Sequence, residues 1–202
     1  MHITLISGSH RPTGESHKVA SYLAQQLQTL GHTTTILKPK ELDLPLWDDG
    51  IWAGDATWQT RLQPIQAELT RADGVVVIAP EYDGMVPAAL KNFFLFLSPA
   101  EVGHKAGLIV TVSASGGGAY PVAELRTSSY KNCKLCYVPD HLIVRNVGKV
   151  LNANAADNDA REDAYIRARI DYTLRVFAAY AEALGDVRRS GVTTTDKFNY
   201  GM

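Results

Sequence analysis

Three polar loops hold the groups with which this chain could do chemistry. Residues Ser7-Gly8-Ser9-His10-Arg11-Pro12-Thr13-Gly14-Glu15-Ser16 offer the hydroxyls of Ser9, Thr13 and Ser16 beside the Arg11 guanidinium, a donor set suited to a terminal phosphate monoester. The loop is neither G-x-x-x-x-G-K-[ST] nor G-x-G-x-x-G, which disfavours an NTPase phosphate loop and a Rossmann dinucleotide turn. Taken alone it is equally compatible with Ser16 as a plain helix N-cap and Arg11 as a solvated charge. A second loop, Pro80-Glu81-Tyr82-Asp83-Gly84, leads through Met85-Val86-Pro87 to Leu90-Lys91-Asn92. Pro80 removes a backbone donor and Gly84 permits a left-handed turn, so nearby amides are free to read the edge of a planar heterocycle. The third loop, Ser113-Ala114-Ser115-Gly116-Gly117-Gly118, makes sense where backbone must approach a ligand closely, or simply as a flexible connection.

The elements around these loops place all three at one sheet edge. Apolar runs at His2 to Ser7, Thr33 to Leu37, Gly74 to Ala79, Ala106 to Ser113 and Leu135 to Val144 read as strands. They alternate with amphipathic stretches at Ser16 to Leu30, Thr57 to Arg71, Val86 to Leu97, Val122 to about Asn132 and Ala160 to Leu184, which read as helices. This alternation predicts an α/β fold with a parallel sheet covered on both faces, and polar turns at the carboxyl ends of its strands are where such sheets bind ligands. Residues 1–186 are expected to form one domain and 187–202 a tail. Leu44 to Asp55, with Trp47 and Trp52 among Pro, Gly and Asp, reads as a surface excursion; it or the tail could instead fold over a neighbouring subunit. The Val86 helix is apolar on nearly its whole circumference, because Phe94, Leu95 and Phe96 flank the stripe Val86, Leu90, Phe93 and Leu97. Either a loop covers its outer face or a second subunit does, and the size of the patch favours a homodimer contact.

Composition narrows the class. With 46% hydrophobic and 20% charged residues over 202 positions, the chain supports a sizeable core and is not largely disordered. Lys plus Arg number 20 against 21 acidic residues, so no excess charge recruits nucleic acid or an anionic membrane, and a strongly acidic electron carrier is disfavoured. No apolar run is long enough to span a bilayer and no signal-peptide pattern opens the sequence, which makes the cytoplasm the expected location. Cys133 and Cys136 form a C-x-x-C pair that could be redox-active or half a metal site, but a structural zinc site needs four ligands and only His141 is near. Burial where a helix gives way to a strand is the favoured reading, and no metal site is expected. His10, His17 and His104 are read as surface or loop residues.

Taken together, the three loops resemble those of the NADPH-dependent FMN reductase family over approximately Met1 to Arg175. Pro80-Glu81-Tyr82-Asp83-Gly84 with Pro87 and Leu90-Lys91-Asn92 is similar to the family's P-E-Y-N-G…P…L-K-N pattern. Gly8-Ser9-His10-Arg11…Ser16 is similar to its G-S-x-R…S phosphate loop, and Ser113 to Gly118 stands where the family has its glycine-rich flavin loop. The resemblance implies a flavodoxin-like three-layer sandwich with strand order 2-1-3-4-5. It implies that Ser9, Arg11 and Ser16 bind the FMN phosphate, with Thr13 substituting for a hydroxyl that relatives carry at the position of Gly14. It also implies that Pro80, Glu81, Tyr82, Asp83 and Gly84 border one side of the flavin ring and Ser113, Ser115, Gly116 and Gly117 the other. The activity implied is hydride transfer from NADPH or NADH to FMN and onward to a small acceptor such as a flavin, quinone, azo compound or metal oxyanion, in a homodimer or homotetramer, with no catalytic side chain required. An electron-transfer flavoprotein and a non-catalytic flavin-binding module are the competing expectations. Asp83 replaces the usual Asn; an ionised carboxylate there would lower the flavin potential, and a protonated one would donate much as Asn does.

Overall fold

Strand β3 (Gly74–Pro80) is buried at every position, as a Val-Val-Val-Ile run must be when a sheet is covered on both faces. It pairs in parallel with β1 (His2–Ser7) on one side and β4 (Ala106–Val112) on the other. Strands β2 (Thr33–Leu37) and β5 (Cys136–Val144) are the half-buried edges, giving one five-stranded sheet in the order 2-1-3-4-5, as the resemblance implied. The structure is a computed structural model, and it describes residues 1–39, 41–195 and 197–201.

Six α-helices lie among the described residues, α1 (Glu15–Thr29), α2 (Ala56–Arg71), α3 (Ala88–Leu95), the single turn α4 (Pro99–Val102), α5 (Ala119–Ser128) and α6 (Ala160–Arg189), and all but α4 follow from the amphipathic stretches. The two-residue period of the strands sorts the core into two layers. Val76, Ile78, Leu108 and Val110 pack with Val19 and Leu23 of α1 and Ile170, Leu174 and Phe177 of α6. Val75, Val77 and Ile109 pack with Leu62, Ile65 and Leu69 of α2, Leu90 and Phe93 of α3, and Leu125 of α5.

Several boundaries differ from expectation: α3 covers Ala88–Leu95 and not Val86 to Leu97, and α5 stops at Ser128 and not near Asn132. Helix α6 runs five residues past Leu184 because Gly185 sits buried inside it, and packing overrides the weak helix propensity of glycine. Helix α5 begins at Ala119, directly off the glycine loop, instead of at Val122. Pro80 is the last residue of β3, in register with Val112, so it closes a strand and does not belong to the turn. Of the expected tail, Asp196 and Met202 lie outside the described residues; the Phe198 carbonyl accepts a hydrogen bond from Lys134.

The apolar surplus of α3 is satisfied largely within the chain. Phe96 is buried against Trp58, with ring centroids 5.1 Å apart. Asn92 donates to the Pro45 carbonyl at 2.8 Å and accepts from the Trp47 amide at 2.8 Å. The segment 44–55 is therefore strapped over α3 of its own chain, with Trp47 packed edge-on to Trp52 at 4.7 Å; Leu95, Leu46 and Trp52 stay exposed.

Cys133 is buried and donates its thiol to the Ser129 carbonyl at 3.3 Å, and Cys136 is half-buried; both are free thiols. Burial pushes both thiols above their ordinary pKa, which disfavours the thiolate form. Among the described residues no helix is long and apolar enough to cross a membrane.

Candidate functional site

Because β1, β3 and β4 are adjacent and parallel, the three chemical loops leave the same edge of the sheet side by side. The first enters α1 through Gly14, an extended N-cap with no side-chain capping bond. The amides of Glu15 and Ser16 have no partner among the described residues and are open to an external acceptor, whereas that of His17 donates to the Gly14 carbonyl at 2.9 Å; the helix dipole favours an anion there. A Cβ on Gly14 would sit 2.4 Å from Ser9 Oγ, so a larger residue there would displace the Ser9 side chain. Ser16 is not the N-cap but a buried first-turn residue, and its hydroxyl has no partner among the described residues. Arg11 and Thr13 are exposed at the mouth of the loop.

The second loop is a two-residue turn. Tyr82 and Met85 exchange backbone bonds of 3.1 and 2.9 Å, while Asp83 and Gly84 have φ of 50° and 75°. Positive φ at both central positions is the type I′ geometry, for which Asn-Gly and Asp-Gly are the favoured pairs. The Asp83-Gly84 dipeptide therefore has a backbone reason independent of any ligand. The amides of Tyr82 and Met85 are consumed inside the turn; those of Asp83 and Gly84 have no partner among the described residues, and the Asp83 side chain is exposed. Behind the turn, the Val86 amide donates to Glu124 at 2.8 Å, and Lys91 pairs with the other oxygen of the same carboxylate. Partial burial alone would raise the Glu124 pKa, but Lys91 and the Val86 amide hold it below the usual range, so it stays an ionised anchor.

The third loop is held from three sides. Glu81 accepts the Gly118 amide at 2.7 Å, and Thr111 donates to the Gly118 carbonyl at 2.8 Å. Arg145 donates from Nε to the Gly116 and Gly117 carbonyls at 2.8 and 3.1 Å. The amides of Asn146 and Val147 donate to Ser115 and Ser113, at 3.0 and 3.1 Å, and Ser113 Oγ accepts from the Ser115 amide. The glycine run is therefore ordered. A Cβ on Gly117 would fall 1.9 Å from the Glu81 carboxylate, so close approach explains that glycine better than flexibility does.

Of the residues singled out from sequence, Ser9 and Tyr82 meet at 3.0 Å between their hydroxyls, and Glu81 joins the glycine loop. Ser113 is buried at the base of its loop, whereas Ser115 and Gly116 are exposed at the rim. His10 is exposed with its ring edge against Tyr82 at 5.3 Å, and His17 Nδ1 is bonded to Ser7 Oγ at 2.8 Å. Thr111, Arg145 and Asn146 were missed. A signal was available for the last two, since Arg145-Asn146 follows a parallel strand directly, as the other polar loops do.

The sequence model of a family described as NADPH-dependent FMN reductase matches residues 1–149. An NADPH azoreductase of Bacillus sp. (strain OY1-2) is 24% identical over 94% of this chain and 97% of its own length. A quinone reductase of Escherichia coli (strain K12) is 31% identical over 40% of this chain and 42% of its own length. Among solved structures, the flavoenzyme NAD(P)H:(acceptor) oxidoreductase FerB from Paracoccus denitrificans superposes with a TM-score of 0.68 at 19% identity, covering 90% of this chain and 97% of the other. An oxidoreductase from Corynebacterium diphtheriae superposes with a TM-score of 0.63 at 15% identity, covering 92% and 97%. At such identities these two likenesses speak to the fold.

Proposed function

Since the chain belongs to the NADPH-dependent FMN reductase family, we propose that it is an FMN-dependent NAD(P)H oxidoreductase that passes reducing equivalents to a small acceptor of the quinone or azo class. The observation that carries this reading is the linkage of the three loops into one rigid edge by Ser9–Tyr82 and Glu81–Gly118. The donor set fits the mononucleotide: the free amides of Glu15 and Ser16 at the start of α1 and the unpartnered Ser16 hydroxyl suit a dianionic phosphate.

In this reading Ser9, Arg11, Thr13 and Ser16 hold the phosphate. The free amides of Asp83 and Gly84 face one side of the ring, with Tyr82 fixed by Ser9. Ser113, Ser115, Gly116 and Gly117 close the other side, while Glu81 and Pro80 act through the backbone they fix. FMN bound there would supply the redox chemistry, taking hydride from the nicotinamide and delivering electrons to the acceptor. The chain's own task is to orient both reactants on one face and to keep the ring edge hydrogen-bonded. No side chain is required as nucleophile or general base.

Leu46, Trp52, Leu95, Met85 and Tyr120 are exposed, and we propose that such apolar side chains contribute to the contact of a homodimer or homotetramer. The enzyme is read as cytoplasmic, where its free thiols remain reduced.

Anaerobic mixing of the FMN-loaded protein with NADPH or NADH, followed by flavin absorbance, tests the proposal. Rapid bleaching that an added quinone or azo dye reverses is expected. A flavin that bleaches only with a partner flavoprotein would reassign the chain as an electron carrier, and failure to retain FMN would leave the reductase reading without a cofactor.

A further inference from the structure

A cavity of about 640 Å³ opens between the end of β5 and the first turns of α6, on the far side of the glycine loop from the turn at Asp83-Gly84. Its volume lies within the range of small-molecule sites. Val150 and Ile166 are buried and Ile143 half-buried in its wall, making an apolar floor. Tyr165 is 71% exposed at its rim and offers an aromatic face to a planar ring.

The charges at the rim are unequal in their engagement. Asp159 caps α6, accepting from the Arg161 and Glu162 amides at 3.0 and 2.9 Å, and Glu162 accepts from Asn146 at 3.3 Å. Arg161 has no carboxylate within ion-pair distance among the described residues. Arg145 uses Nε on the Gly116 and Gly117 carbonyls, which leaves its terminal nitrogens free. Two guanidinium groups with free nitrogens, an aromatic rim and an apolar floor together suit a heterocycle that carries phosphate, and the charge of Asp159 is partly offset by the α6 N-terminus that it caps.

We infer that this cavity takes the adenosine phosphate end of the pyridine nucleotide, with Tyr165 against the adenine and Arg161 on phosphate. The inference rests on the reductase reading above, because it places the two ends of one donor on either side of the glycine loop. Arg145 belongs to the cavity wall and to the loop at once, so donor binding and the loop that borders the ring share one side chain. An adenine nucleotide acting as a separate regulator would use the same chemistry, and competition distinguishes the two.

The test compares NADPH with reduced nicotinamide mononucleotide, which lacks the adenylate, as donors to the FMN-loaded wild-type, Arg161→Ala and Tyr165→Ala proteins. The NADPH-to-mononucleotide ratio of kcat/KM is expected to fall about tenfold or more in Arg161→Ala, through KM for NADPH, as loss of a charged hydrogen bond predicts. Adenosine 2′,5′-bisphosphate is expected to compete with NADPH and to bind about tenfold more weakly to the same variant in calorimetry. An unchanged ratio, or a bisphosphate that binds without competing, would overturn the inference. If neither donor bleaches the flavin, the reductase reading fails; the bisphosphate titration still decides whether the cavity binds an adenosine phosphate through Arg161, and equal affinity for both proteins would sink it.

Discussion

The carboxylate of Glu81 accepts the amide of Gly118 at 2.7 Å, across 37 residues of sequence. It ties the turn after β3 to the loop after β4 and occupies the space that a Gly117 side chain would need. Glu81→Ala and Gly117→Ala should therefore damage the same bridge. Each is expected to weaken FMN binding by about tenfold, as loss of a charge-assisted bond implies, and the double variant should be little worse than either alone. Flavin fluorescence titration reads all three; additive losses would show that the two residues act separately.

At the tip of the second loop, backbone and charge make separable demands on residue 83. Asp83→Asn preserves a side chain suited to φ of 50° and removes the carboxylate, so the turn should persist while the flavin midpoint potential rises at neutral pH. Because Asp83 is exposed, the difference should shrink as salt is added. Asp83→Val keeps neither property and should cost about 1–2 kcal/mol of stability. Spectroelectrochemical titration and urea unfolding check the pair; an identical potential in the Asn variant would sink the electrostatic account.

Glu68 is expected to contribute to acid stability far from the loops. Burial alone would raise its pKa, but bonds from His2, Thr4 and Arg71 bring it from 4.5 down to about 2. A carboxyl that titrates lower in the folded than in the unfolded chain contributes fully above about 4.5, and that contribution is lost as pH falls toward about 2. Glu68→Gln should lower stability at pH 7 by on the order of 2–3 kcal/mol and flatten the pH dependence in that window. Chemical denaturation at a series of pH values measures both effects.

Asn92 holds the 44–55 segment with both ends of its amide. Asn92→Ala should release that strap at a cost of about 1–3 kcal/mol, expose Trp47 to water and admit protease between α3 and its cover. Red-shifted tryptophan emission with new cleavage inside 44–55 is the expected result, and an unchanged spectrum would show that Trp47 packs without it.

Much of this was legible in the order of residues. A Val-Val-Val-Ile run bracketed by amphipathic stretches points to a doubly covered parallel strand, because a strand buried on both faces must be apolar at successive positions, and the polar turn after it then lies at the carboxyl edge. The Asp83-Gly84 pair was a local signal of the same kind, explained by turn geometry alone. Contacts between distant segments were not legible. Glu81 with Gly118, Arg145 with the glycine carbonyls, and Asn92 with Trp47 each depend on where two chain segments come to rest, and sequence patterns report only the period within a segment. The outer face of α3 shows the difference most clearly. The sequence determined that the apolar run Phe94, Leu95 and Phe96 favours cover, since exposed apolar area is costly; only the tertiary structure decided that Trp58 and the strap at 44–55 cover Phe96 and part of Phe94 and leave Leu95 outside.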